Sequence, residues 1–240
     1  MMGLSLSRRA RMALMVVFLL GLLLFFPLRL AAGLAGTERM GISARDVRGS
    51  IWGGRIDQLM LGRLPMGSVR VALTPEALLL GRARFDIWRR VGQADDVAGA
   101  MTVGVGRIGI DDVTGSLPLG RAFAPLPIGS LDMEDVSIRF SGDHCGHAEG
   151  RVRAHVAGQV AGLNLSQGLS GFATCDGETV LLPLVSQSGM EKMTVRLWLS
   201  GRYTAEMRVE MADPALETAL GAMGFARVGD VQMLKVEGTL

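Results

Sequence analysis

The chain has 240 residues, 49% of them hydrophobic and 20% charged, with a formal net charge of +2. Basic residues are dispersed after residue 12, and there is one Tyr and three Trp. This excludes both a basic stripe that tracks a phosphate backbone and an aromatic base-stacking platform. Glycine is abundant, at 33 residues against 8 prolines, which suits tight turns between closely approaching strands rather than disorder.

Residues 12–28 read MALMVVFLLGLLLFFPL without a charge; Arg29 interrupts, and residues 30–36 are apolar again. A helix needs about 20 such residues to cross a hydrocarbon core, and Arg29 can snorkel to the interface. Pro27 and Gly33 are able to bend or end the helix on its far side. Arg8, Arg9 and Arg11 precede the run, so the positive-inside rule keeps the N-terminus cytoplasmic and translocates the rest. The expected division is a cytoplasmic tail over 1–11, a transmembrane anchor over 12–34 and a β-rich domain over 35–240, in the periplasm of a bacterium. A cleaved signal peptide is the alternative, since residues 33–35 loosely resemble a cleavage site, but an apolar core of about 7–15 residues is usual there.

Beyond the anchor, polar and apolar residues alternate over 56–59, 69–73, 84–87, 136–140, 151–156, 195–197 and 207–211. Period two with β-branched residues marks half-buried strands. Glycines such as Gly62, Gly67, Gly104, Gly106, Gly142 and Gly201 separate them at short intervals, which predicts an antiparallel meander. Two segments read as short helices. One is TPEALLLG over 74–81, with a Thr cap, Pro at the first position and a Gly stop; the other runs from Asp213-Pro214 to about Gly224. A final strand follows over 231–236. The fold class is therefore mainly β: one transmembrane helix, then a curved, mostly antiparallel sheet, a half-barrel or groove, with one or two short helices. Neither short helix covers a large sheet, so the sheet must curl onto itself or bury its apolar face against a ligand or partner. Residues 44–50, 110–116 and 131–137 share an acidic residue before a Val, which suits a sheet of similar hairpins.

Cys145 and Cys175, the only cysteines, lie in polar turn-like segments beyond the anchor. A disulfide there would close a loop of about 30 residues and contribute roughly 3–4 kcal/mol in the chain-entropy account. His144, Cys145, His147 and Cys175 form an alternative metal set, but adjacent His144 and Cys145 rarely ligate one ion from a strand. GVGRIG over 104–109 matches G-x-G-x-x-G, yet no helix follows, so a glycine-rich strand or bulge is the better reading. Asp95-Asp96 and Asp111-Asp112 lack the spacing of a calcium loop and read as solvated pairs. Asn164 opens a formal glycosylation sequon of no weight in a bacterium. There is no HExxH, GxSxG or phosphate loop, and no Ser/His/Asp pattern, so no catalytic, cofactor or metal site is assigned. Trp52 and Trp88 are candidate anchors for a partner or for the core; Trp52 beside Gly53-Gly54 reads more naturally as a core residue.

The segment VRGSIWGGRI over 47–56, followed by LTPEALLLG over 73–81, resembles the type II secretion system protein N family. Its members combine a short cytoplasmic tail, one anchor, a G-x-[IV]-W-x-G strand start and a Pro-x-x-Leu-Leu segment. Cys145, the GFATCDG stretch over 171–177 and the SGRY turn over 200–203 look similar too. The resemblance implies a non-enzymatic accessory of the inner membrane that works with the other inner-membrane and periplasmic components of the machine moving folded proteins out of the periplasm. That family is in turn similar to AsmA-like and bridge-type lipid-transfer proteins, whose curved sheets have an apolar inner face. The alternative function is therefore a lipid-binding or lipid-transfer module.

Overall fold

The structure, a computed structural model, describes residues 7–35, 41–62, 64–89, 96–120, 122–156, 165, 167–210 and 214–240. Its N-terminal apolar run is not one helix. Helix α1 (Arg8–Leu24) starts where the Ser7 hydroxyl accepts the Ala10 N–H, and it stops at Phe25. Pro27, whose ring fixes the backbone and removes a donor, then separates it from α2 (Leu28–Ala35). At 1.5 Å per residue α1 is about 26 Å long, short of a hydrocarbon core of about 30 Å. No helix among the described residues is long and apolar enough to cross a membrane. The expected uninterrupted span over 12–34 is thus corrected to two helices joined by a bend.

The strands are β1 (Ile42–Ser43), β2 (Asp46–Ser50), β3 (Gly53–Leu61), β4 (Leu64–Leu73), β5 (Arg82–Arg89), β6 (Val97–Gly104), β7 (Arg107–Pro118) and β8 (Ile128–Ser141). They continue as β9 (His144–Val156), β10 (Leu169–Phe172), β11 (Thr174–Asp176), β12 (Thr179–Ser186), β13 (Glu191–Trp198), β14 (Arg202–Glu210), β15 (Ala226–Val228) and β16 (Val231–Thr239). Two more helices, α3 (Pro75–Leu79) and α4 (Pro214–Ala222), occupy the places the Pro and Gly signals mark. Asp213 and Met211 lie outside the described residues.

All sixteen strands belong to one antiparallel sheet, in the order β1-β3-β4-β5-β6-β7-β8-β9-β10-β12-β13-β14-β16-β15, with β2 on β3 and β11 on β12. Each alternating segment of the sequence lies in one of these strands over its described residues, the last of them over 207–210. The alternation works because register keeps like with like. Met193 faces Met207, Val195 faces Ala205 and Leu182 faces Val195. One sheet face thereby collects Val136, Val152, Leu169, Leu184, Met193, Met207 and Val209, each at most 2% exposed. Burying each such side chain contributes about 1.5–3 kcal/mol.

The sheet is open but rolled. Leu61 and Leu64 of the β3–β4 hairpin join the same core as Leu234 and Val236 of β16, and a side chain at Gly62 would overlap the Leu240 backbone. The roll is filled from inside. Leu119 and Leu126 of the β7–β8 connection, Leu165, Leu220 of α4 and Phe225 all belong to that core. Within the β7–β8 connection, the Phe123 ring meets that of Tyr203 at 4.6 Å, tilted by 57°, and the Tyr203 hydroxyl donates to the Ala122 carbonyl. The face that the sequence left to a ligand or partner is thus occupied, along β8–β14, by the chain's own side chains.

Two bulges bend the middle of the sheet. Asp112 in β7 and Asp135 in β8 have φ of +53° and +51°, and pairing shifts register at each. Each precedes Val and a hydroxyl residue: Asp112-Val113-Thr114 and Asp135-Val136-Ser137. They brace each other. The Asp112 N–H donates to Ser137 Oγ at 2.9 Å, and the Asp135 N–H donates to Thr114 Oγ1 at 3.0 Å. The weak sequence similarity of these two segments is therefore a structural echo. The third segment, at Asp46, carries no such bulge.

Candidate functional site

The feature most clearly built by this fold is the junction between α1 and the sheet. Helix ends leave carbonyls without helical partners. At the C-terminus of α1 the Trp52 indole N–H donates to the Leu23 carbonyl at 3.0 Å, reaching from the β2–β3 turn. The chain continues as an edge: Ile51 N–H donates to the Phe26 carbonyl at 3.1 Å, and Pro27 bridges to Ser50. Leu28, 5% exposed, then packs with Ile51, Leu73, Trp52, Ile56 and Phe85. Gly54 makes room for it, since a Cβ there would overlap Leu28 Cδ2. The Ile-Trp-Gly-Gly segment thus clamps the helix to the sheet. Trp52 packs, half-buried, against this cluster and holds the helix end.

Trp88 is half-buried and lines a cleft of about 770 Å³ with Arg89, Asp96, Val97, Ala98, Thr114, Gly115, Ser116, Asp132 and Met133. Arg89, 5% exposed, donates to the Met66 and Ser116 carbonyls at 2.9 and 2.8 Å, which ties β5 to β4 and β7. Asp132 pairs with His155 Nε2 at 2.5 Å. Sequence reasoning missed Arg89 because nothing local marks which Arg of a strand turns inward.

Cys145 and Cys175 form a disulfide, with Cα atoms 5.5 Å apart, joining the start of β9 to β11. His147 instead pairs with Glu149 at 3.1 Å and His144 is exposed, so the candidate metal set is dispersed. Among the described residues no three His, Cys, Asp or Glu gather closely enough to hold a metal ion. The G-x-G-x-x-G stretch is the β6–β7 hairpin, with Gly106 at φ +64° in its turn. Asp95, Asn164 and Ser166 lie outside the described residues.

Asp111 is buried and Asp112 exposed, yet Arg84 reaches both, with its Nη2 3.8 Å from Asp112 Oδ2. The bulge turns Asp112 outward, while Asp111 accepts from Thr102 Oγ1 at 2.6 Å and from Arg139 Nε at 2.9 Å, with Arg84 Nη1 at 3.6 Å. Burial alone would raise the Asp111 pKa. The hydrogen bonds from Thr102 and Arg139 and the charges of Arg139 and Arg84 together outweigh it, so the carboxyl lies below its ordinary 3.8.

The fold and the junction define a mainly-β protein: one open, rolled antiparallel sheet with a helical N-terminal arm fastened to its edge. A family profile described as "Type II secretion system (T2SS), protein N" matches residues 40–233. The chain belongs to the type II secretion system protein N family. It is 31% identical over 154 residues to the type II secretion system protein N of Vibrio cholerae serotype O1, a match covering 59% of this chain and 61% of that protein. The chain thus spans about three-fifths of that relative's length. No solved structure matches it.

Proposed function

We propose that the chain is a non-enzymatic accessory subunit of the type II secretion machinery, held in the bacterial inner membrane. The observation that carries this reading is the family match over residues 40–233, which takes in nearly the whole sheet. Within the expected division of tail (1–11), anchor (12–34) and periplasmic β-rich domain (35–240), α1 is the part that enters the membrane, while α2 packs on the β-domain through Leu28. The anchor reading is supported by α1. Its side chains from Met12 to Leu24 carry no charge, and Met15, Val17, Phe18 and Leu24 are each more than 60% exposed. A helix apolar all round belongs in a hydrocarbon medium. Local thinning or the following Phe25 and Phe26 makes up the few ångströms α1 lacks. Its partners are other inner-membrane and periplasmic components of the machine.

The lipid-transfer alternative requires an open apolar groove, and the filled roll along β8–β14 does not favour it. Affinity capture of the full chain in mild detergent tests the proposal. Co-capture of secretion-machinery components, with a secretion defect on deletion, is expected. Capture of the chain alone, with secretion unchanged by its loss, would overturn it.

A further inference from the structure

We infer that one rim of the sheet, carried by α3 and the β6–β7 turn, rests in the membrane surface beside α1. This inference depends on the anchor reading above and goes beyond it, because it fixes which end of the domain faces the bilayer.

Beyond α1 and its cap residue Phe25, the most exposed large apolar side chains described are Val105 at 98%, Leu79 at 88% and Leu80 at 70%; Leu78 is 41% exposed. They share one end of the sheet. The β2–β3, β4–β5 and β6–β7 connections all leave at that end because β3 to β7 run as an unbroken meander. Gly104 is level with Arg82, so Val105 and the residues just before Arg82 stand at one height. With strands about 4.8 Å apart, α3 and the Val105 turn are roughly 10–15 Å from each other.

The same end holds the helix junction. Leu73 N–H, just before α3, donates to the Ile51 carbonyl at 2.8 Å, next to Trp52 and its bond to α1. If α1 enters the bilayer there, three leucines and a valine are carried to its surface. The flanking charges fit that place. Arg82 follows α3 and Arg107 follows the Val105 turn; both are exposed, and Arg29 is exposed on α2. The acidic residues at this end include Glu76 in the first turn of α3 and exposed Asp143 in the β8–β9 turn, whose Gly142 N–H donates to the Gly106 carbonyl. Apolar tips flanked by arginines are the composition of a segment seated at the headgroup and acyl boundary, with the arginines toward anionic lipid.

The test uses the full chain in vesicles of phosphatidylethanolamine and phosphatidylglycerol. Because both native cysteines are oxidised to each other, a single new cysteine takes a fluorescent maleimide alone. Four variants are labelled: Val16→Cys in α1, Leu79→Cys, Val105→Cys and, at the opposite end of β12, Gln187→Cys. Quenching by lipid carrying a nitroxide near the top of its acyl chain is then read. The expected result is strong quenching at 16, at least about half as much at 79 and 105, and almost none at 187. Labels at 79 and 105 that behave like 187 while 16 is quenched overturn the rim and leave the anchor standing. An unquenched label at 16 refutes the anchor reading itself, and the rim with it. The two rim side chains are exposed, so their replacement does not touch the core.

Discussion

The two braced bulges offer a comparison in which one geometry occurs twice at different depth. Ser137 is 3% exposed, and its hydroxyl accepts the Asp112 N–H at 2.9 Å. Thr114 does the same for Asp135 at 3.0 Å, but at the surface; each hydroxyl also donates back to its aspartate carboxylate, at 3.2 Å from Thr114 and 3.5 Å from Ser137. In Thr114→Val, water reaches the freed N–H, and the loss is that of ordinary hydrogen bonds, about 0.5–1.5 kcal/mol. In Ser137→Ala, the Asp112 N–H faces a methyl group in partly buried surroundings, and the cost rises to about 1–3 kcal/mol. Ser137→Ala is therefore the more damaging change, although its bond to the carboxylate is the longer of the two. Urea unfolding of the full chain in detergent, followed by tryptophan fluorescence, measures both at unchanged denaturant slope. If Thr114→Val costs as much as Ser137→Ala, burial is not what distinguishes the two braces, and the reasoning fails.

Replacing Cys145 and Cys175 together by Ser is expected to lower stability by about 3–4 kcal/mol, since the bridge closes a loop of 30 residues. A reductant should reproduce that loss in the native chain and leave the variant unaffected. Gly150→Ala places a methyl group 2.5 Å from the Asp135 carbonyl oxygen at a φ of +101°; the same unfolding assay should show a loss of about 2 kcal/mol or more. Asp111 supplies a pH dependence. Its folded pKa is depressed, so its contribution is fully present above its ordinary value of 3.8 and is lost as pH falls through the lower folded value. Asp111→Asn should be less stable than the native chain at neutral pH, and the difference should shrink below about pH 4 in acid titrations of unfolding.

Strand positions were legible because alternation is a local property: Val69-Arg70-Val71 states its two faces without reference to any partner. The α3 helix was legible for the same reason, through Pro75 and Gly81. What fills the roll was not. Residues 119–127 contain Gly120, Pro125 and Pro127 and read as a plain connection. Their role rests on Tyr203, whose hydroxyl meets Ala122 from 81 residues away. Nor does sequence reveal that Trp52 reaches back to Leu23, or that Arg89 turns inward while Arg70 stays exposed. Pro27 marks a bend in the sequence, but a hydropathy run does not say that the helix on its far side leaves the span and packs on the sheet. The bulges left a faint trace in the repeated Asp-Val-hydroxyl pattern, legible only once their φ values are known.

The strand order has a consequence for how such a domain comes into being. From β3 to β10, and again from β12 to β14, each strand's neighbour in space is also its neighbour in the chain. A polypeptide whose strands become available in chain order can therefore add each strand to the one before it. Unpaired backbone is then limited to the newest strand, and loop closure costs little at each step. Contacts between distant segments come later, among them the docking of Tyr203 under the β7–β8 connection and the meeting of Leu240 with Gly62. The growing sheet is a ribbon until then, and the last strands turn it into a roll.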